Sequence, residues 1–132
     1  MPAAAAKPRR KRRQVEQETV HRPVVLHLRA RAAAGVFFFH VPNGGRRSAV
    51  EAAIMQGLGV RAGMPDIVCI KAGQAYGLEL KAEKGTLSAN QRQCHDDLRA
   101  AGAIVGTATG LSEALVWLEG HGLLRGVADV GR

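Results

Sequence analysis

The chain has 132 residues, 46% of them hydrophobic, which is enough apolar material for one core and one domain. Its longest apolar runs, residues 36–39 and 52–55, fall far short of the roughly 20 residues a bilayer-spanning helix needs, so no membrane segment is expected. The net charge of +8 is uneven, because residues 1–13 carry six basic side chains and no acid while the remainder carries only +2.

The basic stretch Met1-Pro2-Ala3-Ala4-Ala5-Ala6-Lys7-Pro8-Arg9-Arg10-Lys11-Arg12-Arg13 lacks the apolar run of roughly 7 to 15 residues that a secretion signal requires, and a cytoplasmic protein is expected. It reads as a disordered basic tail over 1–13. Its cations suit a polyanion, whose condensed counterions they would displace, and they equally suit a solubilising tail or a localisation signal. Residues 14–34 have Val20, Val24, Leu28 and Arg31 at helical steps. Pro23 predicts either a kink near Val20 or a restart at the proline, and Gly35 ends the segment.

Residues 36–41, Val-Phe-Phe-Phe-His-Val, form a β-branched and aromatic run stopped by Pro42-Asn43-Gly44-Gly45, the pattern of a buried strand leaving into a loop. Ser48 caps a short helix through Gln56. Residues 66–70 and 76–81 are apolar strands whose short glycine-containing connection predicts an antiparallel hairpin. Ser88-Ala89-Asn90-Gln91 has capping-box spacing and opens a helix that carries Cys94, Leu98 and Ala101 on one side and ends at Gly102. Residues 103–107 form another strand, Ser112 caps a last helix through Leu118, and residues 126–132 are a frayed end. The order αβαββαβα predicts a mixed sheet flanked by helices, the last strand entering by a helical crossover.

Glu79 and Lys81 stand two residues apart on the second hairpin strand, so both project from one face, while Asp66 opens the partner strand. Two carboxylates and a lysine suit phosphodiester hydrolysis. Mg²⁺ or Mn²⁺ prefers hard oxygen ligands, and a compact ammonium positions water and shields phosphate charge. The ordinary reading of Glu-x-Lys alone is a solvated strand face. Here both strands are apolar, and a carboxylate at the end of such a sheet must be solvated, paired or metal-bound.

Cys69 and Cys94 have no zinc-ligand spacing and read as buried free thiols. His40, at a strand end, reads as a hydrogen-bonded structural residue or a phosphate or metal contact. His21, His27, His95 and His121 show no ligand spacing. Gly44-Gly45 is followed by no Gly-Lys-Ser/Thr signature, so no nucleotide cofactor is expected.

In order along the chain, His40-Val41-Pro42-Asn43-Gly44-Gly45-Arg46-Arg47-Ser48, Gly63-Met64-Pro65-Asp66-Ile67, Gly77-Leu78-Glu79-Leu80-Lys81 and Leu87-Ser88-x-x-Gln91 resemble the VRR-NUC branch of the PD-(D/E)xK nucleases. The likeness is to the standalone phage or bacterial type and covers roughly residues 16–124. It implies a restriction-endonuclease-like α/β fold over residues 14–125 and a Mg²⁺- or Mn²⁺-dependent DNA endonuclease. Asp66 and Glu79 would be metal ligands and Lys81 the catalytic lysine. Gln91 would support the site, a role compatible with its simpler one in the capping box. A first-helix glutamate completes such sites, and helical spacing favours Glu16 over Glu18.

Asn43, Arg46 and Arg47, together with Lys11, Arg12 and Arg13, are the candidate DNA-backbone contacts. Residues 103–108 lack the arginine that this branch carries there. A structure-selective enzyme acting on branched or junction DNA as a homodimer is the leading reading. A catalytically inactive DNA-binding module and a nickase or exonuclease of the same superfamily are the alternatives.

Overall fold

Residues 9–42 and 48–126 are described by the computed structural model. Asn43, Arg46 and Arg47, the first eight residues of the basic segment and residues 127–132 of the expected frayed end lie outside them. Helix α1 (Arg9–Glu16) includes the described residues of the basic segment. Lys11, Arg12 and Arg13 therefore belong to a helix and not to a disordered tail reaching residue 13, in keeping with the good helix propensity of Lys and Arg.

The break expected near Pro23 is a π-helical turn, Gln17–His21, after which α2 (Arg22–Arg31) restarts with the proline in its first turn. Pro23 has no N–H to donate and its ring crowds the carbonyl four residues back. Widening the preceding turn accommodates both effects.

The chain continues through β1 (Val36–His40), α3 (Ala49–Gly57), β2 (Ile67–Lys71), β3 (Gln74–Lys81), α4 (Ala89–Ala100), β4 (Ile104–Thr109) and α5 (Gly110–Gly120). The strands form one mixed sheet in the order β1-β2-β3-β4, and the architecture is a restriction-endonuclease-like α/β fold. Strands β1 and β2 are antiparallel, with Phe38 opposite Cys69 and His40 opposite Ile67. Strands β2 and β3 form the expected hairpin, with Ile67 opposite Leu78 and Lys71 opposite Gln74. Ala72 and Gly73 make its two-residue turn, both at positive φ (50° and 79°). That backbone matches the right-handed twist of paired strands.

Two compact units divide the chain. In the unit made of Met1–Ala33, Leu80–Lys84 and Thr107–Arg132, Val20, Val24 and Leu28 are buried, as are Ala114 and Leu118 of α5 and Leu123 beyond it. Each such Val or Leu side chain contributes about 1.5–3 kcal/mol by leaving water. Buried Arg31 ties this unit together: Nη1 donates to Glu119 Oε1 at 2.6 Å and to the Arg125 carbonyl, and Nε donates to His27 Nδ1 at 3.0 Å.

The unit made of Ala34–Glu79 and Gly85–Gly106 buries Pro65, Ile67, Cys69, Leu78 and Cys94. Alternation along its antiparallel strands places Phe37, Phe39, Val68, Ile70, Gly77 and Glu79 on one face of the sheet. At the β1 edge of that face Phe37 is 65% exposed and lies against Phe39, the ring centroids 5.9 Å apart. Among the described residues, α3 buries no side chain, and its Val50 and Ile54, with Leu58 just after it, are all exposed.

Candidate active site

The β2–β3 register ends at Ile67↔Leu78, so Asp66, just before β2, and Glu79, next on β3, lie at the same end of the hairpin. Strand alternation fixes the face of Glu79, while Asp66 is carried by the bend that leads into β2. Lys81 follows two residues after Glu79 on β3 and projects to that face as well.

Glu79 is only 4% exposed. A carboxylate so buried requires partners, and α4 supplies them. Gln91 Nε2 donates to Glu79 Oε1 at 3.1 Å, and His95 Nε2 lies 3.6 Å from Glu79 Oε2. Gln91 also completes the predicted capping box: its Oε1 accepts from the Ser88 N–H at 2.9 Å, and the Ser88 hydroxyl accepts from the Gln91 N–H at 3.1 Å. One side chain thus caps a helix with its oxygen and holds the Glu79 carboxylate with its nitrogen.

The loop that delivers Asp66 is laid along the same helix. Arg61 Nη2 pairs with Asp97 Oδ2 at 2.7 Å, and the Cys94 thiol lies 3.4 Å from the Met64 sulfur. The hydrogen bond from Arg61, reinforced by one from Gln93, holds the Asp97 carboxyl below its ordinary range. Between these ties, Gly63 sits at φ +85°, where a Cβ would come within 2.4 Å of the Asn90 carbonyl oxygen. Pro65 rests on Gly77, where a Cβ would meet the proline ring at 2.7 Å. The glycines of Gly-x-Pro-Asp and Gly-x-Glu-x-Lys are therefore close-approach positions, which seat the Asp66 loop on α4 and β3.

His40 is the end residue of β1, and its Nδ1 lies 2.6 Å from the Asp66 carbonyl oxygen. A carbonyl only accepts, so Nδ1 carries the hydrogen in this contact. Ligand atoms of the His40 ring and the Asp66 carboxylate lie within 4.8 Å of one another.

The first-helix glutamates separate cleanly. Glu16 Oε1 accepts from the Ala82 N–H at 3.3 Å, one residue beyond Lys81, whereas Glu18 lies 3.6 Å from Arg22 on an exposed surface. Lys11 and Arg12 are exposed on α1, and Arg13 is half-buried.

A solved structure of a VRR_NUC domain protein is similar to this chain, with a TM-score of 0.52 and 20% identity over 71% of this chain and 76% of that one. The chain has a VRR-NUC, nuclease-like fold. No protein-family model and no curated protein matches the sequence. In this VRR-NUC fold, the residue that sequence reasoning passed over is His95, which is fully buried beside Glu79. Its signal was its position four residues after Gln91, one turn along a capped helix and on the same side.

Proposed function

We propose that the chain is a divalent-metal-dependent DNA nuclease that hydrolyses phosphodiester bonds. The observation that supports this best is the buried Glu79 carboxylate, at the Asp66 end of the hairpin and held by Gln91, in a chain of nuclease-like fold. Asp66 and Glu79, with Glu16, are the proposed ligands for Mg²⁺ or Mn²⁺, since carboxylate oxygens are the hard donors these ions select. When bound, the ion supplies a Lewis acid for the phosphate and lowers the pKa of a water.

Lys81 shares a face of β3 with Glu79 and is the proposed catalytic lysine. Its ammonium orients the attacking water and stabilises charge gathering on the phosphate oxygens. Gln91 keeps Glu79 in place. Asn43, Arg46 and Arg47, together with Lys11, Arg12 and Arg13, are the proposed contacts to the DNA backbone, and no nucleotide cofactor takes part.

The proposed enzyme is a standalone one of the phage or bacterial type, cytoplasmic, homodimeric and selective for branched or junction DNA. The exposed aromatic pair on edge strand β1 supports a dimer, because an apolar edge of this kind gains from being covered by another chain.

The deciding experiment compares wild type and Lys81→Ala on labelled linear, nicked, flapped and four-way DNA with Mg²⁺, Mn²⁺ or EDTA. Cutting that needs the metal, prefers the branched substrates and falls by about 10³-fold in the variant is expected, a loss of the size seen when one electrostatic stabiliser is removed. A folded protein that cuts none of the substrates would overturn the proposal in favour of a DNA-binding module.

A further inference from the structure

We infer that His95 is a positioning residue for the Glu79 carboxylate, the second of two groups by which α4 fixes the orientation of that proposed metal ligand. The inference rests on the nuclease reading above.

His95 is fully buried, and its Nε2 stands 3.6 Å from Glu79 Oε2. Gln91 takes the other oxygen, with Nε2 at 3.1 Å from Oε1. The two α4 residues are four apart, so they rise from one side of the helix a turn apart and bracket the carboxylate, one against each oxygen. A carboxylate touched at one oxygen still rotates about its last torsion, because terminal sp³–sp² torsions are broad. The imidazole nitrogen, 3.6 Å from the second oxygen and so beyond hydrogen-bond length, walls off that side and narrows the rotation. Burying an imidazole costs free energy with no gain in apolar packing over a leucine of similar volume, so its presence beside Glu79 is explained by what it does to the carboxylate. His95 touches no reacting atom in this scheme. It acts through Glu79.

The test is Mn²⁺ binding by titration calorimetry, with thermal unfolding alongside, for wild type, His95→Leu and His95→Gln. His95→Leu is expected to fold and to bind Mn²⁺ about 10–100-fold more weakly, the usual cost of losing a group that orients a metal ligand. His95→Gln keeps a polar side chain of similar reach against Glu79 and should recover most of the affinity. In DNA cleavage kcat should follow the metal affinity, with KM for DNA unchanged.

If His95→Leu does not fold, His95→Asn replaces it, having an amide too short to reach Glu79. Variants that melt lower yet bind Mn²⁺ as tightly as wild type would reduce His95 to a packing residue and overturn the inference alone. A folded wild type that binds no Mn²⁺ would remove both the inference and the nuclease reading beneath it.

Discussion

Gln91 uses the two ends of one carboxamide for opposite tasks, and this makes it sensitive to a change that alters almost nothing in shape. Its oxygen must face Ser88 and its nitrogen must face Glu79. Gln91→Glu keeps the oxygen and the cap but replaces the donor with a second carboxylate against a buried one. The protein should still fold, with a loss of about 1–3 kcal/mol in urea unfolding. Metal-dependent cleavage should fall about 10–100-fold. Equal cleavage rates for Gln91→Glu and wild type would show that the Glu79 contact is idle.

Cys69 offers a second check at this scale. Burial pushes its thiol up to about 11, so the reactive thiolate is scarce until the pH rises to that value. At pH 8 the native protein should leave Cys69 unlabelled by iodoacetamide over a time in which denatured protein labels fully, as read by peptide mass spectrometry. The Gln91 cap was legible in the sequence because Ser88-x-x-Gln91 announces itself by local spacing. His95 was not, since a histidine is seen to serve a carboxylate only when the strand beneath the helix is known.

Among the elements, the loop before Asp66 depends on α4 more than its own sequence suggests. Gly63→Ala must adopt a positive φ and also push Cβ into the Asn90 carbonyl, and the two costs together should reach about 2–4 kcal/mol. Gly35→Ala is the matched comparison. It has a similar φ of +80° but open space around the new methyl, so it should lose only the conformational part, about 1–2 kcal/mol. Urea melts of the two variants measure the difference, and equal losses would show that the loop moves freely off the helix.

Element order and the hairpin could be read from periodicity and turn residues. Ends were harder: Lys11, Arg12 and Arg13 lie on α1 because basic side chains extend a helix as readily as they solvate a tail, and composition does not separate the two. Pro23 announced a break, yet the form the break takes, a widened turn, follows from how the carbonyls before it are accommodated.

For the whole molecule, charge and fold make separate contributions. Among the described residues no helix is long and apolar enough to cross a membrane. The excess charge is concentrated at the N-terminus, where Lys11, Arg12 and Arg13 lie on α1. Replacing these three with Gln retains helix propensity while removing three cations. DNA binding should weaken, and the slope of log affinity against log salt should flatten by up to about 0.9 for each phosphate no longer neutralised. An unchanged slope, measured by fluorescence anisotropy between low and physiological salt, would exclude α1 as a DNA contact. The mixed sheet was legible from the alternation of strand and helix. The division into two compact units was not, because β3 and β4 each contribute to both and carry no break in sequence.

Strand β1 also bears on how the chain is made. Among the described residues its strand partner is β2, and residues 41–66 separate the two. At roughly 5–20 residues per second, a ribosome takes on the order of one to five seconds to supply that partner. For this interval an apolar segment with three consecutive phenylalanines is synthesised but unpaired, which is the kind of window in which nascent chains join one another. Yield of soluble protein should therefore depend on expression rate and temperature more steeply than the finished fold implies, and the outward-facing Phe37 is where one added charge would slow self-association without touching the core.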